Sequence, residues 1–450
     1  MTAIERLAAS LAEPRAALSQ AQRDCLGWHI ADTVGATIAA TRTPEGEALI
    51  RLRGSSLGDD VERDIAALCA LTRLSEIDDI HIASMTTPGA IVIPAAIALA
   101  ANRRGHDPAA FMDAVIAGYE AMIRLNTSLD GPSILYRGIW STYFAAPFGT
   151  AAVAARLLGL DAAQTAHALA MALTFAAPGV GHHNAPTTAR WLSAGQAARN
   201  GINAALAAQG GFTADLALLD GNFFPSVYAI TPNITAMTDA LGSRDMIGEV
   251  SFKPWCAARQ TMAATQALRE ILDQGVNVND ITAIKATILP PHRRMIDHGV
   301  TPGDRASYLT GVQYNMAIAA VAPELADVLS PVAEQVPDAV HALMCKITVE
   351  PDEGLAADYP RVWPAHVTVT TGARTVERRV DFVPGDPSRA FTADRVEAKF
   401  RRFVAPAIGQ AKAEGMLQAA LALVDGGSPG ALLQQIAGVF TSSAASSRPR

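Results

Sequence analysis

Between Ser75 and Pro94 the chain reads SEIDDIHIASMTTPGAIVIP, which places Glu76, Asp78, Asp79 and His81 within six residues. Charged residues make up only 18% of the protein, and this cluster lies between alanine-rich apolar stretches that read as helices. A carboxylate or imidazole at the edge of an apolar pocket has its pKa displaced, as proton-transfer chemistry requires. If the preceding helix continues through residues 75–84, Asp78 and His81 lie three apart on one face, and the carboxylate orients the imidazole. The alternative is a solvated helix end followed by a Thr-Thr-Pro-Gly turn.

Three further segments carry polar groups that the surrounding apolar pattern does not demand. Residues 179–190, GVGHHNAPTTAR, put His182 and His183 in a glycine-rich loop ahead of a long helix. Paired histidines could hold a metal, but the sequence offers no evident third ligand. An anion site is the more economical reading. Thr187 or Thr188 can cap the helix, its first N–H groups are free, and Arg190 presents a fork for a carboxylate. The alternative is a structural loop with a surface arginine. In SFKPWC, residues 251–256, Lys253 is a lone cation where the pattern of the chain changes, whereas Cys256 has no neighbouring base and reads as a packed thiol. Last come Pro291-His292-Arg293-Arg294 and the stretch YLTGVQYN, residues 308–315. The arginines read as an anion clamp or as a solvated loop, and Tyr314 as a proton donor or a packing residue.

These segments need elements to position them. Up to about residue 250, apolar residues recur at spacings of three and four over 18–41, 59–73, 92–104, 108–126, 144–158, 161–175 and 187–209. Asp107 and Asp161 stand where N-caps belong. Residues 281–289, 345–350, 365–371 and 375–382 then read as strands, the last two joined by a hairpin turn at Gly372-Ala373-Arg374. Helical segments are expected near 258–273, 306–321 and 324–333, and again from about 391. The fold class is therefore mostly α: a large helical domain from residues 1–250, a smaller α+β lobe from 251–390, and a return to the helical domain over 391–450. A junction of that kind leaves a cleft, a preferred place for a small ligand.

Composition narrows the function. Half the chain is hydrophobic and 6% aromatic, so the core is built from Ala, Leu, Ile and Val. A net charge of −7 and a pI near 5.8 argue against a nucleic-acid binder, which would show a basic face. Cys25, Cys69, Cys256 and Cys345 are widely spaced and form neither a disulfide framework nor a metal motif, which fits a reducing, cytoplasmic setting. The N-terminal stretch lacks the uninterrupted apolar run of a signal peptide. The longest apolar stretch, residues 90–101, is too short for a membrane span.

Taken in order, the segments resemble the MmgE/PrpD family of 2-methylcitrate dehydratases, cis-aconitate decarboxylases and iminodisuccinate epimerases. The likeness covers most of the chain, including GIWSTYFAAPFGTAAVAARLLGLD (138–161), ARWLSAGQAARNG (189–201), GGFTADLALLDG (210–221) and FKPWC (252–256). It implies a helical domain with an α+β lid, a homodimer, and chemistry without metal, nucleotide or flavin. Departures from the family pattern are specific. Its His-Pro turn reads Thr87-Pro88-Gly89 here, its Gly-x-His reads Gly138-Ile139-Trp140, and the lysine of its Lys-x-Leu-x-x-Gly is Arg190. Lys253 and Tyr314 match.

The resemblance thus implies a lyase or isomerase acting on a small polycarboxylate or imino-dicarboxylate, with the cations retained and both histidines replaced. A proton α to a carboxylate is abstracted, and loss of water or CO2, or reprotonation on the other face, follows. His81, Asp78, Asp79 and Tyr314 are the catalytic candidates, His81 first, with His182 or His183 as the alternative to it for the proton transfer. Glu76, Thr87, Trp140, His182, His183, Arg190 and Lys253 are the substrate-binding candidates. The competing reading is a catalytically silent relative that binds a carboxylate or a protein partner.

Overall fold

A computed structural model describes residues 1–54, 56–103, 105, 107–176 and 187–446. Among them are twenty α-helices and one four-stranded sheet, in two compact units. One unit is helical and takes in the described residues up to Val250, Thr187 excepted, and again from Thr392. The other, Ser251–Phe391, carries the sheet. No described helix is long and apolar enough to cross a membrane.

Small residues shape the helical unit. The helix Ala189–Gln209 lies backbone to backbone against its neighbours. A Cβ at Gly195 would fall 1.9 Å from the carbonyl oxygen of Ala66, in the helix Val61–Leu74. One at Gly201 would fall 2.0 Å from that of Pro147, in the helix Ser141–Leu158. The second seam is tied by Thr150, whose hydroxyl donates to Ala198 O at 2.7 Å. Helix ends follow the sequence signals: Asp107 accepts from Ala109 and Ala110, and Asp161 forms a capping box with Gln164. Late in the chain, the helix Ala393–Ile408 packs on Gln20–Ala40. Its buried Lys399 pairs with Asp32 at 2.6 Å and donates to Ile77 O at 2.7 Å.

In the α+β unit, β1 (Ile281–Ile288), β2 (Ile347–Pro351), β3 (Ala365–Thr371) and β4 (Thr375–Val380) take the order β2-β1-β3-β4. The β1–β2 pair is parallel and the others antiparallel, with β3 and β4 joined by the expected turn at 372–374. Alternation buries Val367 and Val369 of β3 beneath the helix Arg259–Leu272. Beside it Arg259 is paired with Asp386 at 2.6 Å, and His292 sits edge-on to Trp363. Burial, reinforced by Arg259, pushes His292 down to about 3, so it packs as a neutral ring.

Two helical expectations fail here. Residues 306–321 split into Arg305–Thr310 and Val312–Val321, because Asn315 turns its amide onto the carbonyls of Tyr308 and Gly311 at 3.1 and 2.8 Å. Residues 324–333 form only the 3-10 turns Pro323–Asp327 and Ala333–Gln335, since Pro331 removes a donor and holds Ser330 out of helical geometry.

The Gly201 seam gives a direct test. Gly201→Ala forces a methyl into backbone and should cost at least about 2 kcal/mol. The loss would appear as a lower urea midpoint, whereas Gly415→Ala, in the interior of the helix Gln410–Leu421 where a Cβ meets nothing within 4 Å, should raise it slightly.

Candidate functional site

The helix Val61–Leu74 does not run on into the acidic segment. Ser75 Oγ donates back to Thr72 O at 2.6 Å and accepts from Ile77 N, and Glu76 takes a left-handed φ of 57°. Residues 75–88 are therefore irregular, and Asp78 and His81 do not share a helix face. Arg73 collects the acids instead. Its Nη1 donates to both oxygens of Asp78 at 2.7 and 2.9 Å, and its Nη2 to Glu76 at 2.8 Å. This corrects the expectation that Asp78 fixes the His81 tautomer.

His81 is buried and engaged at both ring nitrogens. Ser84 N donates to Nδ1 at 3.2 Å, with the Ser84 hydroxyl 2.8 Å away, so Nε2 carries the proton and faces Glu249 at 3.5 Å. Burial raises the Glu249 pKa, but hydrogen bonds from His81 and Arg244 outweigh it and hold the group down at about 2. Glu249 is thus a fixed negative charge beside the imidazole, a partner that lies 168 positions along the chain and gives no local signal.

Asp79 faces inward. Its Oδ1 accepts from Gly89 N at 2.8 Å, and its Oδ2 accepts from the Tyr119 hydroxyl at 2.6 Å and meets His29 Nδ1 at 2.9 Å. A Cβ at Gly89 would lie 2.6 Å from this carboxylate, so the turn at Thr87-Pro88-Gly89 needs its glycine. Burial alone would lower the His29 pKa, yet the hydrogen bond to Asp79 prevails and carries it up to about 10. The pair is imidazolium and carboxylate.

Thr87 N donates to Thr142 Oγ1 at 3.0 Å. Thr87, one of the two positions where the family pattern has histidine, is thus tied to the first turn of the helix Ser141–Leu158, and the other, Trp140, is the N-cap residue of that helix. Trp140 is stacked on Tyr143, centroids 5.4 Å apart and planes 16° from parallel. Arg190, only 4% exposed, places its guanidinium carbon 5.0 Å from the Trp140 ring centre. Thr188 takes the N-cap position of Arg190's helix but makes no side-chain cap, contrary to one of the two capping expectations. Tyr143 reports how close these groups are. Burial raises its phenol, Arg73 and Arg190 lower it, Glu76 and Asp78 raise it, and the result is about 12.

The helical unit therefore brings together Glu76, Asp78, Thr87, Trp140 and Arg190, and adds Arg73 and Tyr143, which the sequence reading missed. Arg73 looked like an ordinary basic residue of a last helical turn, and Tyr143 like an apolar core residue. Lys253 and Tyr314 belong to the α+β unit, and both are buried. The stretch around Lys253 is pinned by Phe252 N donating to Gly385 O at 2.9 Å and by the Phe252–Phe391 stack. The Tyr314 ring meets Tyr308 edge-on, and burial raises its phenol. Cys256 is a buried thiol that forms no disulfide. Arg293 and Arg294 are exposed, Arg293 facing Asp297 at 3.3 Å, so they form a solvated helix end and no clamp. His182 and His183 lie outside the described residues. No group of acids, histidines and cysteines among the described residues could hold a metal ion.

Two family models match almost end to end: the MmgE/PrpD N-terminal domain over residues 5–231 and the MmgE/PrpD C-terminal domain over residues 255–423. The chain belongs to the MmgE/PrpD family. Membership points to an enzyme of the dehydratase or lyase type. No curated protein matches this MmgE/PrpD chain.

His29 supplies a pH test. Folding raises its pKa from 6.5 to about 10, so the protonated ring contributes fully below pH 6.5, and that contribution drains away as the pH climbs through 10. The wild-type melting temperature should fall over this interval more steeply than that of His29→Gln. At pH 6, His29→Leu leaves Asp79 without its cation and should cost about 3–5 kcal/mol.

Proposed function

We propose that this MmgE/PrpD protein is a lyase or isomerase that removes a proton α to a carboxylate of a small polycarboxylate or imino-dicarboxylate. Loss of water or CO2, or return of the proton to the opposite face, completes the reaction. One observation carries the reading: a nearly fully buried guanidinium, Arg190, set over an aromatic ring at the position that matches the family's lysine. Out of water, a fixed positive charge both holds a carboxylate and stabilises the charge that develops when the neighbouring C–H ionises.

His81 is the proposed base, with Glu249 and not Asp78 as its partner. A proton reaching Nδ1 passes by way of the Ser84 hydroxyl, and the imidazolium formed is stabilised by Glu249 across Nε2. Asp78 is held by two hydrogen bonds from Arg73 and Asp79 by three donors, whereas protonation of His81 at Nδ1 gives up only the one from Ser84 N. A silent carboxylate binder is the second reading, and Thr87 and Trp140, neither of which can act as a base, favour it.

Thermal stabilisation across di- and tricarboxylates, followed by proton NMR in D2O, separates the two. Arg190→Ala should weaken anion binding by about 10- to 150-fold, the loss of a charge-assisted hydrogen bond worth about 1.5–3 kcal/mol. Lys253→Ala tests the second motif cation in the same assay. Among His81→Ala, Asp78→Asn and Asp79→Asn, only His81→Ala should lose exchange of a substrate C–H while keeping the fold. Exchange at the wild-type rate in His81→Ala, with an aspartate variant silent, would transfer the role to a carboxylate. Binding with no exchange in the wild type would leave the protein a binder.

A further inference from the structure

The start of the helix Ser141–Leu158 is a set of hydrogen-bond donors without acceptors. The backbone N–H groups of Ser141, Thr142 and Tyr143 belong to the first turn, where a helix offers them no partner, and nothing else among the described residues accepts from them. The hydroxyls of Ser141 and Thr142 are already committed, to Gly131 O and to Thr87. Tyr143 is 2% exposed and Trp140 8%, yet Tyr143 Oη and Trp140 Nε1 are buried with no hydrogen-bond partner among the described residues. A buried unmet donor is costly, and two on adjacent stacked rings at one helix end make a pattern. A long side chain on the third residue of a helix leans back over the N-terminus, which aims the Tyr143 hydroxyl at the free N–H groups.

All these groups donate, and an indole N–H can do nothing else. The helix dipole and the Arg190 guanidinium add positive potential, while Glu76 and Asp78 are already bound by Arg73. We infer that the N-terminus of the helix Ser141–Leu158 is an oxyanion site, in which Tyr143 Oη–H and Trp140 Nε1–H donate to an oxygen of a bound carboxylate. Burial keeps the phenol protonated at neutral pH, so Tyr143 serves as a donor and not as a base. The choice of a carboxylate as the ligand rests on the proposed function. The donor set itself requires only an oxyanion.

The test titrates the full chain with citrate, cis-aconitate and inorganic phosphate, read by melting temperature and tryptophan fluorescence. Tyr143→Phe keeps the stack and removes one hydroxyl. Without anion it should melt at or above the wild type, because the lost group had no partner. It should also bind the best of the three anions more weakly by about tenfold or more, and Trp140→Phe should show the same loss of affinity. Binding of phosphate alone, still dependent on Tyr143, would keep the oxyanion site and remove the polycarboxylate reading. Equal citrate affinity in wild type and Tyr143→Phe, or a lower melting temperature of that variant without anion, would overturn the site and leave the proposed function standing. A wild type that binds none of the three would overturn the site, and the proposed function would fall with it only if no other di- or tricarboxylate stabilises the protein.

Discussion

Asp79 carries a charge in a place with no access to water, and the irregular segment 75–88 depends on how that charge is met. An isolated carboxylate there would cost several kcal/mol. It is tolerated because three donors converge on it: His29 from the helix Gln20–Ala40, Tyr119 from Pro108–Ser128, and Gly89 at the head of Gly89–Ala101. No two of these come from one element, so the segment is fixed only once all three helices have docked. Lys399, reaching in from Ala393–Ile408 to the carbonyl of Ile77, adds a fourth tie from the far end of the chain. Asp78, Glu76 and His81 inherit their positions from this anchorage.

The elements were legible because their periods are local: three-and-four spacing across the helices, alternation in β3, aspartates at the caps. The site was legible only in part. Arg190 and Lys253 stood out as cations in apolar surroundings, and Thr87 and Trp140 through the family pattern. Their neighbours did not. His29 lies in a stretch that reads as plain helix, and its partner is fifty positions away. The helical continuation through residues 75–84 failed because Ser75 competes for the backbone and Glu76 turns left-handed, choices that periodicity does not register. Without that helix the Asp78–His81 pairing disappears, and Arg73 and Glu249 take its place.

Exchanging an imidazole for Trp140 alters more than titration. An indole offers a face to Arg190 and an edge donor, and it takes up neither a proton nor a charge between pH 5 and 8. Under the proposed function, proton transfer and charge stabilisation, which a histidine can combine, fall to different residues: Arg190, Trp140 and Tyr143 on one side, His81 with Ser84 and Glu249 on the other.

The seams at Gly195 and Gly201 set how this protein can change. Where two backbones touch, a larger side chain has nowhere to go, and a substitution there is felt along both helices. Arg190 and Trp140 stand at the outer tips of those same helices, beyond the tight contact. New chemistry can therefore be tried at the tips while the shafts stay clamped, so the protein can exchange its reactive groups without renegotiating its architecture.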